Sequence, residues 1–223
     1  MKQHHILLAA AALGLLAGPA HATLTCSITV DGAQIATCLA SNTGTISFAG
    51  ADAPLFSSIT LTGSGSPILP QPDLSSVTLD VSSSGTFTGT HVLGVDLFQT
   101  NVSAPVGATL ESTATINGLI NLPGPTTLSD FINGTATSLG STLRSSTFAA
   151  DFTGNVGPFF DTLSGPLSAD AHQFLITFTG ANQSANDTIQ LLGVIPTVPE
   201  PSSLALLGIG LIATGWLARR RHG

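Results

Sequence analysis

Short runs in which hydrophobic and polar residues alternate dominate the middle of the chain. In residues 77–81 a hydrophobic side chain occupies every second position, and the same spacing recurs at Phe174, Ile176 and Phe178. Because successive side chains of a strand point to opposite faces, this period predicts β-strands with one face against a core. Two further runs share the pattern: Val95 and Leu97 alternate with Gly94 and Asp96, and Leu110, Ala114 and Ile116 share one face.

Frequent Gly, Pro and Asn residues separate these runs, and β-branched Thr is abundant within them. This combination predicts a mostly β, single-domain antiparallel sandwich or jelly-roll-like fold. Asn117-Gly118 is typical of a hairpin turn. Two short helical turns are also predicted. One covers residues 128–132 and ends at Asn133-Gly134, and the other covers residues 158–163.

The N-terminus has the order of a secretory signal peptide. Lys2 precedes an unbroken apolar run over residues 6–17, and small residues stand at Ala20 and Ala22. This order predicts cleavage by signal peptidase after Ala22, with Thr23 as the new N-terminus. Residues 1–22 are therefore assigned to the signal peptide, and the chain that follows is expected to be exported.

The C-terminus carries a second apolar segment. Residues 204–218 contain no charge and are followed directly by Arg219, Arg220 and Arg221. Extended to about residues 202–218, the segment approaches the length of a transmembrane helix. Positive residues stay on the cytoplasmic side of a membrane. The helix would therefore anchor the chain in the inner membrane, with the arginines in the cytoplasm and the exported part outside.

Pro199, Glu200 and Pro201 stand just before this apolar segment. Together with the helix and the arginines, they resemble the PEP-CTERM sorting signal of Gram-negative bacteria. The resemblance implies that exosortase, a membrane enzyme, recognises residues 197–223 and removes the tail during delivery to the surface. Residues 23–196 then form the exported β-rich domain. The tail itself implies no ice-binding activity.

Charge is scarce in the exported domain. Only 8% of all residues are charged, and Arg144 is the one basic residue that lies away from the two ends. Phosphate contacts need clustered Lys and Arg, so nucleic acid is excluded as a partner. No cofactor-binding motif is present, and no cofactor is expected.

Cys26 and Cys38 flank Asp31-Gly32. A hairpin centred on Gly32 would place the cysteines opposite each other, whereas a two-residue Asp31-Gly32 turn would offset them by one residue. Two cysteines in an exported chain favour a disulfide over free thiols. With no third ligand nearby, a metal site at these cysteines is not expected.

Chemically active residues are few in the exported domain. Its two histidines, His91 and His172, are predicted to lie on the surface or at strand ends, and its dispersed acids to face solvent. There is no G-x-S-x-G motif, so no hydrolase triad is expected, although Ser and Asp are common enough for one to be drawn. No metal-binding motif occurs, which leaves open only a calcium ion held by separate loops.

These observations predict a non-enzymatic component of the cell surface or extracellular matrix. PEP-CTERM proteins are associated with exopolysaccharide and biofilm, which makes exopolysaccharide a candidate partner. A carbohydrate-binding surface module is the alternative, although the exported domain lacks the Trp and Tyr on which sugars usually stack. Ice binding is a weaker alternative, because the Thr-x-Thr pairs are irregularly spaced along the chain.

Overall fold

Twelve β-strands form the regular structure of the computed structural model, which describes residues 22–38, 40–65, 73–104, 106–116, 124–148 and 153–194. Those residues contain no helix. The strands are β1 (Thr23–Val30), β2 (Ala33–Thr37), β3 (Thr45–Asp52), β4 (Phe56–Gly65), β5 (Asp73–Ser83), β6 (His91–Ala104), β7 (Thr109–Ile116), β8 (Thr126–Ile132), β9 (Ser141–Phe148), β10 (Gly154–Thr162), β11 (Leu167–Phe178) and β12 (Ser184–Val194).

The strands are divided equally between two antiparallel sheets. The first sheet has the order β2-β1-β6-β11-β8-β9, and the second has the order β10-β7-β12-β5-β4-β3. The two sheets form a sandwich, which confirms the predicted fold class. Their inner faces meet in the core, and their outer faces carry the polar half of each alternating run.

The predicted inward positions are confirmed. Val77, Leu79 and Val81 of β5 are fully buried, as is every second residue of β11 from Phe174 to Phe178. Burial of each such side chain contributes about 1.5–3 kcal/mol relative to leaving it in water. The ring of Phe178 packs edge-on against Phe56, with centroids 5.1 Å apart.

The β1–β2 hairpin combines the two registers that the sequence left open. Asp31 and Gly32 form a two-residue turn with positive φ angles of 52° and 79°, and Val30 pairs with Ala33. A β-bulge at Ile35 then restores the register, so that Cys38 lies opposite Cys26 and forms a disulfide with it. The predicted disulfide is confirmed, and the extra residue of the bulge makes it compatible with the short turn.

Both predicted helical turns are wrong. Residues 128–132 belong to β8, which pairs with β11 on one side and β9 on the other. Residues 158–163 begin inside β10, an edge strand in which Pro158 lies at an irregularity of the pairing with β7. An edge strand tolerates proline because its outer side needs no hydrogen-bond donor.

Other predicted elements cannot be compared with the structure. The Asn117-Gly118 turn, the signal peptide up to residue 21 and the tail helix lie outside the described residues.

Candidate functional site

Five polar side chains form a hydrogen-bonded group between the two sheets. Nδ1 of His172 lies 2.6 Å from Oδ1 of Asp130, and Nε2 of His172 lies 2.7 Å from Oγ of Ser75. Ser75 donates a hydrogen bond to Oδ2 of Asp170, and Ser112 donates one to Oδ2 of Asp130. We call these five residues the buried polar network. It joins β11 and β8 of the first sheet to β5 and β7 of the second.

The network lies where two hydrophobic clusters of the core meet. On β11, Asp170 and His172 stand between Leu167, which belongs to the smaller cluster, and Phe174, which belongs to the larger one. Ser112 on β7 likewise follows a residue of the smaller cluster. Strand alternation therefore points these polar side chains inward, just as it does their hydrophobic neighbours.

Solvent does not reach the network. Ser75 and His172 are 0% exposed, and none of the five residues is more than 4% exposed. Burial of so many polar groups is tolerated because they hydrogen-bond one another. Within the network, Oδ1 of Asp170 is the buried atom that lacks a hydrogen-bond partner.

The network corrects two predictions. His172 lies in the middle of β11 and is fully buried, not at the surface or at a strand end. Asp130 and Asp170 face the core instead of solvent. The prediction for His91 is confirmed, because it begins β6 and pairs at the surface with Asp31, Nδ1 to Oδ2, at 2.6 Å.

The hydrogen bonds determine where the protons lie. When the Asp170 carboxyl is ionised, it accepts the single hydroxyl proton of Ser75, and Nε2 of His172 then donates to Ser75. Nδ1 faces the Asp130 carboxylate and donates as well, so His172 is an imidazolium in this state. Burial opposes this charge, but the hydrogen bond with Asp130 and the charges of Asp130 and Asp170 together raise the pKa of His172.

Burial raises the pKa of the Asp170 carboxyl to about 6. The charge of His172 and the hydrogen bond from Ser75 act in the opposite direction, whereas the charge of Asp130 adds to the effect of burial. Asp170 therefore changes its protonation state close to neutral pH.

The order Ser75–His172–Asp130 matches that of a hydrolytic triad, but its proton arrangement does not. In such a triad the histidine accepts the serine proton through a free Nε2. Here, with Asp170 ionised, the proton of Ser75 points to Asp170 and Nε2 is the donor. This arrangement holds a charged side chain in the core and links the two sheets.

A small cavity adjoins the network at one side of the sandwich. It has a volume of about 10 Å³ and is lined by Asp130, Ser112, Arg144 and Phe159, among others. This is the space of about one water molecule. The Arg144 guanidinium lies 3.3 Å from the centroid of the Phe159 ring, and this contact connects edge strand β9 to edge strand β10.

Asp187 is a second buried acid, on β12. It is 0% exposed, and neither of its carboxyl oxygens has a hydrogen-bond partner. Burial raises the pKa of Asp187 to about 7. Its alternation with Ile189 and Leu191 indicates the inward position, and the prediction that it faces solvent is wrong.

A larger cavity lies on the outer face of the first sheet. It has a volume of about 300 Å³ and crosses β2, β1 and β6, with residues 136 and 137 forming part of its wall. We call it the hairpin groove. Its lining consists of Thr25, Cys26, Ser27, Gln34, Thr37, Cys38, Asp96, Phe98, Ala136 and Thr137.

The structure describes residues 22–194 apart from the gaps given above. Among these described residues, no group of three or more His, Cys, Asp or Glu side chains could hold a metal ion. Likewise, none of the described segments forms a helix with the length and apolar character needed to cross a membrane.

Of the residues predicted to direct processing, two lie at the start of the described structure and the others lie outside it. Ala22 and Thr23 are described, and Thr23 is the first residue of β1. Ala20, the motif Pro199, Glu200 and Pro201, and the basic end Arg219, Arg220 and Arg221 lie outside the described residues.

Comparison with known proteins confirms the resemblance of the tail. Residues 197–221 match the model of the PEP-CTERM protein-sorting motif. No curated protein matches this sequence. Among solved structures, the chain is similar to TmCBM27, a carbohydrate-binding module for specific mannan recognition, with 12% identity over 67% of this chain and 86% of that one. The TM-score is 0.29, too low to support any argument about this chain.

Proposed function

We propose that this protein is a non-enzymatic structural component of the cell surface or extracellular matrix, including biofilm. Its PEP-CTERM tail marks it as an exported protein that is processed at the membrane by exosortase. The proposal concerns what the sandwich does after that delivery.

The observation that carries the proposal is the state of His172. An enzyme that attacks a substrate needs a nucleophile and a base that the substrate can reach. Ser75 and His172 are sealed between the sheets. With Asp170 ionised, His172 donates a proton toward Ser75, where a base would accept one. The network therefore supports a role in holding the sandwich together.

The strand boundaries support processing at both ends. Thr23 begins β1, so cleavage after Ala22 would leave the first strand whole. The last strand, β12, ends at Val194, before the sorting motif begins at residue 197. We expect mass spectrometry of the surface protein to show Thr23 as its N-terminus and to lack residues 202–223. An intact mass that includes Arg219 would contradict removal of the tail.

Gene deletion with complementation tests the matrix role. We expect deletion to reduce biofilm and cell aggregation, and the unaltered gene to restore both. A Ser75→Ala variant should also restore them when it reaches the surface in equal amount, because no reaction depends on Ser75. Unchanged biofilm after deletion would contradict the matrix role. Failure of an equally abundant Ser75→Ala protein would instead indicate catalysis.

A carbohydrate-binding surface module is the second candidate function. The hairpin groove favours it, because a cavity of about 300 Å³ reaches the lower end of the usual range for small-ligand sites, about 300–1,000 Å³. The two candidates are compatible, since a matrix component can bind the polysaccharide in which it is embedded.

A further inference from the structure

The hairpin groove is held in shape by two contacts. The Cys26–Cys38 disulfide joins β1 to the residue just after β2. Oγ1 of Thr25 donates a hydrogen bond of 3.0 Å to the carbonyl of Ala136, which fixes the loop that follows β8 against β1. The groove is therefore formed before any ligand arrives, and a ligand would bind without having to order it.

The lining offers hydrogen-bonding groups around a small apolar floor. Phe98, on the outer face of β6, lines the groove, and with 4% of its surface exposed it offers only a small apolar area. Around it stand the amide of Gln34, the carboxyl of Asp96 and several hydroxyl groups. A ligand with both C–H surfaces and many hydroxyl groups matches this lining.

Asp96 is the charged side chain of the groove, and it is held in place. Nε2 of Gln173 on the neighbouring strand donates a hydrogen bond of 2.9 Å to its Oδ1. A carboxylate accepts hydrogen bonds from ligand hydroxyls and repels acidic ligands. The lining contains no Lys, Arg or His that could offset this repulsion.

We propose that the hairpin groove is a binding site for a neutral polysaccharide, with Asp96 and Gln34 as its principal hydrogen-bonding residues. The proposal deepens the carbohydrate-binding candidate above and rests on it. Side chains on the outer sheet face form the site. An extended peptide would instead pair with the backbone of edge strand β2, which makes a peptide the less suitable ligand.

Calorimetric titration tests the site on the protein purified from the surface fraction of its host. The probes are neutral oligosaccharides of mannose, glucose and galactose, with an oligouronate as the acidic counterpart. We expect saturable binding of at least one neutral oligosaccharide and at least about tenfold weaker binding of the oligouronate, because Asp96 repels it. No binding of any neutral oligosaccharide, or preference for the oligouronate, would overturn the proposal.

Two variants and one control locate the binding. Asp96→Ala should weaken binding of the neutral oligosaccharide about tenfold or more, since a charged acceptor is lost. Gln34→Ala should weaken it a few-fold, and this exposed residue of a short edge strand can change without unfolding the domain. Asp80→Ala, on the exposed outer face of the second sheet, is the matched control and should leave binding unchanged.

The outcomes separate this proposal from the matrix role. Equal binding by the unaltered protein and by folded Asp96→Ala and Gln34→Ala variants would overturn the site. Should Asp96→Ala fail to fold, Gln34→Ala decides alone. Normal biofilm in the deletion strain would contradict the matrix role, whereas the titration would still report whether the groove binds sugar.

Discussion

The same strands build two different halves of the interior. Toward its C-terminal end, β11 places Phe174, Ile176 and Phe178 in a hydrophobic cluster, and β5 adds Val77 and Leu79 opposite. Earlier in the same two strands, the inward positions hold Asp170, His172 and Ser75. The inward positions of both halves continue one strand alternation, and they differ only in the chemistry of the side chains.

The comparison teaches that position and chemistry are separate properties of a core. Alternation determines which side chains face inward, whatever they are. In the apolar half, burial itself is stabilising. In the polar half, stability depends on the hydrogen bonds and charge pairs between the groups, because an unpaired charge in the core is strongly destabilising.

Removing one partner from the polar half should have the largest effect. Asp130→Ala leaves the His172 imidazolium without its counter-ion, and we expect the free energy of unfolding to fall by about 3–5 kcal/mol. Chemical denaturation measures this loss. Asp80→Ala, an exposed acid on β5, is the control and should stay within about 0.5 kcal/mol. Equal effects of the two substitutions would refute the role assigned to the network.

Replacing the whole network by apolar residues should not repeat that loss. We expect the combination Ser75→Ala, Ser112→Ala, Asp130→Leu, Asp170→Leu and His172→Leu to range from neutral to about 4 kcal/mol stabilising. The reason is that no unpaired group remains and the two hydrophobic clusters become continuous. Denaturation of this variant beside Asp130→Ala provides the test. A loss as large as that of Asp130→Ala would show that the network contributes stability beyond pairing.

The protein should become more stable as the pH is lowered from about 7 to about 4. The folded-state pKa values of Asp170 and Asp187, about 6 and about 7, lie above the ordinary value of 3.8. Between these values the folded state holds more protons than the unfolded state. The free energy of unfolding should therefore fall as pH rises from about 4 to about 7, by up to about 1.4 kcal/mol per pH unit for each group.

Titration of His172 should change the free energy of unfolding in the same direction. Its folded-state pKa is raised, so its contribution is fully present below the unfolded value and is lost as pH rises through the folded value. Thermal denaturation at a series of pH values measures the profile. Asp187→Asn should flatten it near neutral pH, and Asp80→Asn should not. A stability maximum above pH 7 in the unaltered protein would contradict these assignments.

The contact between Arg144 and Phe159, beside the buried polar network, should contribute least to the free energy of unfolding. Arg144→Gln removes the cation from the Phe159 ring, and we expect a loss of about 0.5–1 kcal/mol. A double-mutant cycle with Phe159→Leu isolates the pair, because the loss should vanish when the ring is already absent. Additive effects of the two substitutions would show that the contact is not energetically coupled.

Sequence periodicity predicted the apolar half well. Val77, Leu79 and Val81 stand at every second position, so their inward direction followed from the sequence alone. The register of the β1–β2 hairpin did not, because a β-bulge at Ile35 changes the pairing without leaving a clear mark in the composition. Residues 128–132 were misassigned because their spacing of apolar residues also fits a helical turn.

The polar network was missed for a different reason. Its members are brought together by strand pairing and sheet packing, since Ser75 and His172 are separated by 97 positions in the chain. A usable signal was nevertheless present. His172 continues the inward series of Phe174 and Ile176, and Asp187 precedes Ile189 in the same way. Polar residues that continue a hydrophobic series are therefore candidates for buried positions, even when no motif names them.

The protonation of His172 is the most direct test of a structural, non-catalytic network. Nitrogen-15 NMR of the imidazole at about pH 7 distinguishes a ring with two protonated nitrogens from one with a free Nε2. We expect both nitrogens to carry protons and Ser75 to resist a serine-directed fluorophosphonate. A free Nε2 at that pH, together with labelling of Ser75, would contradict the account and indicate a working nucleophile.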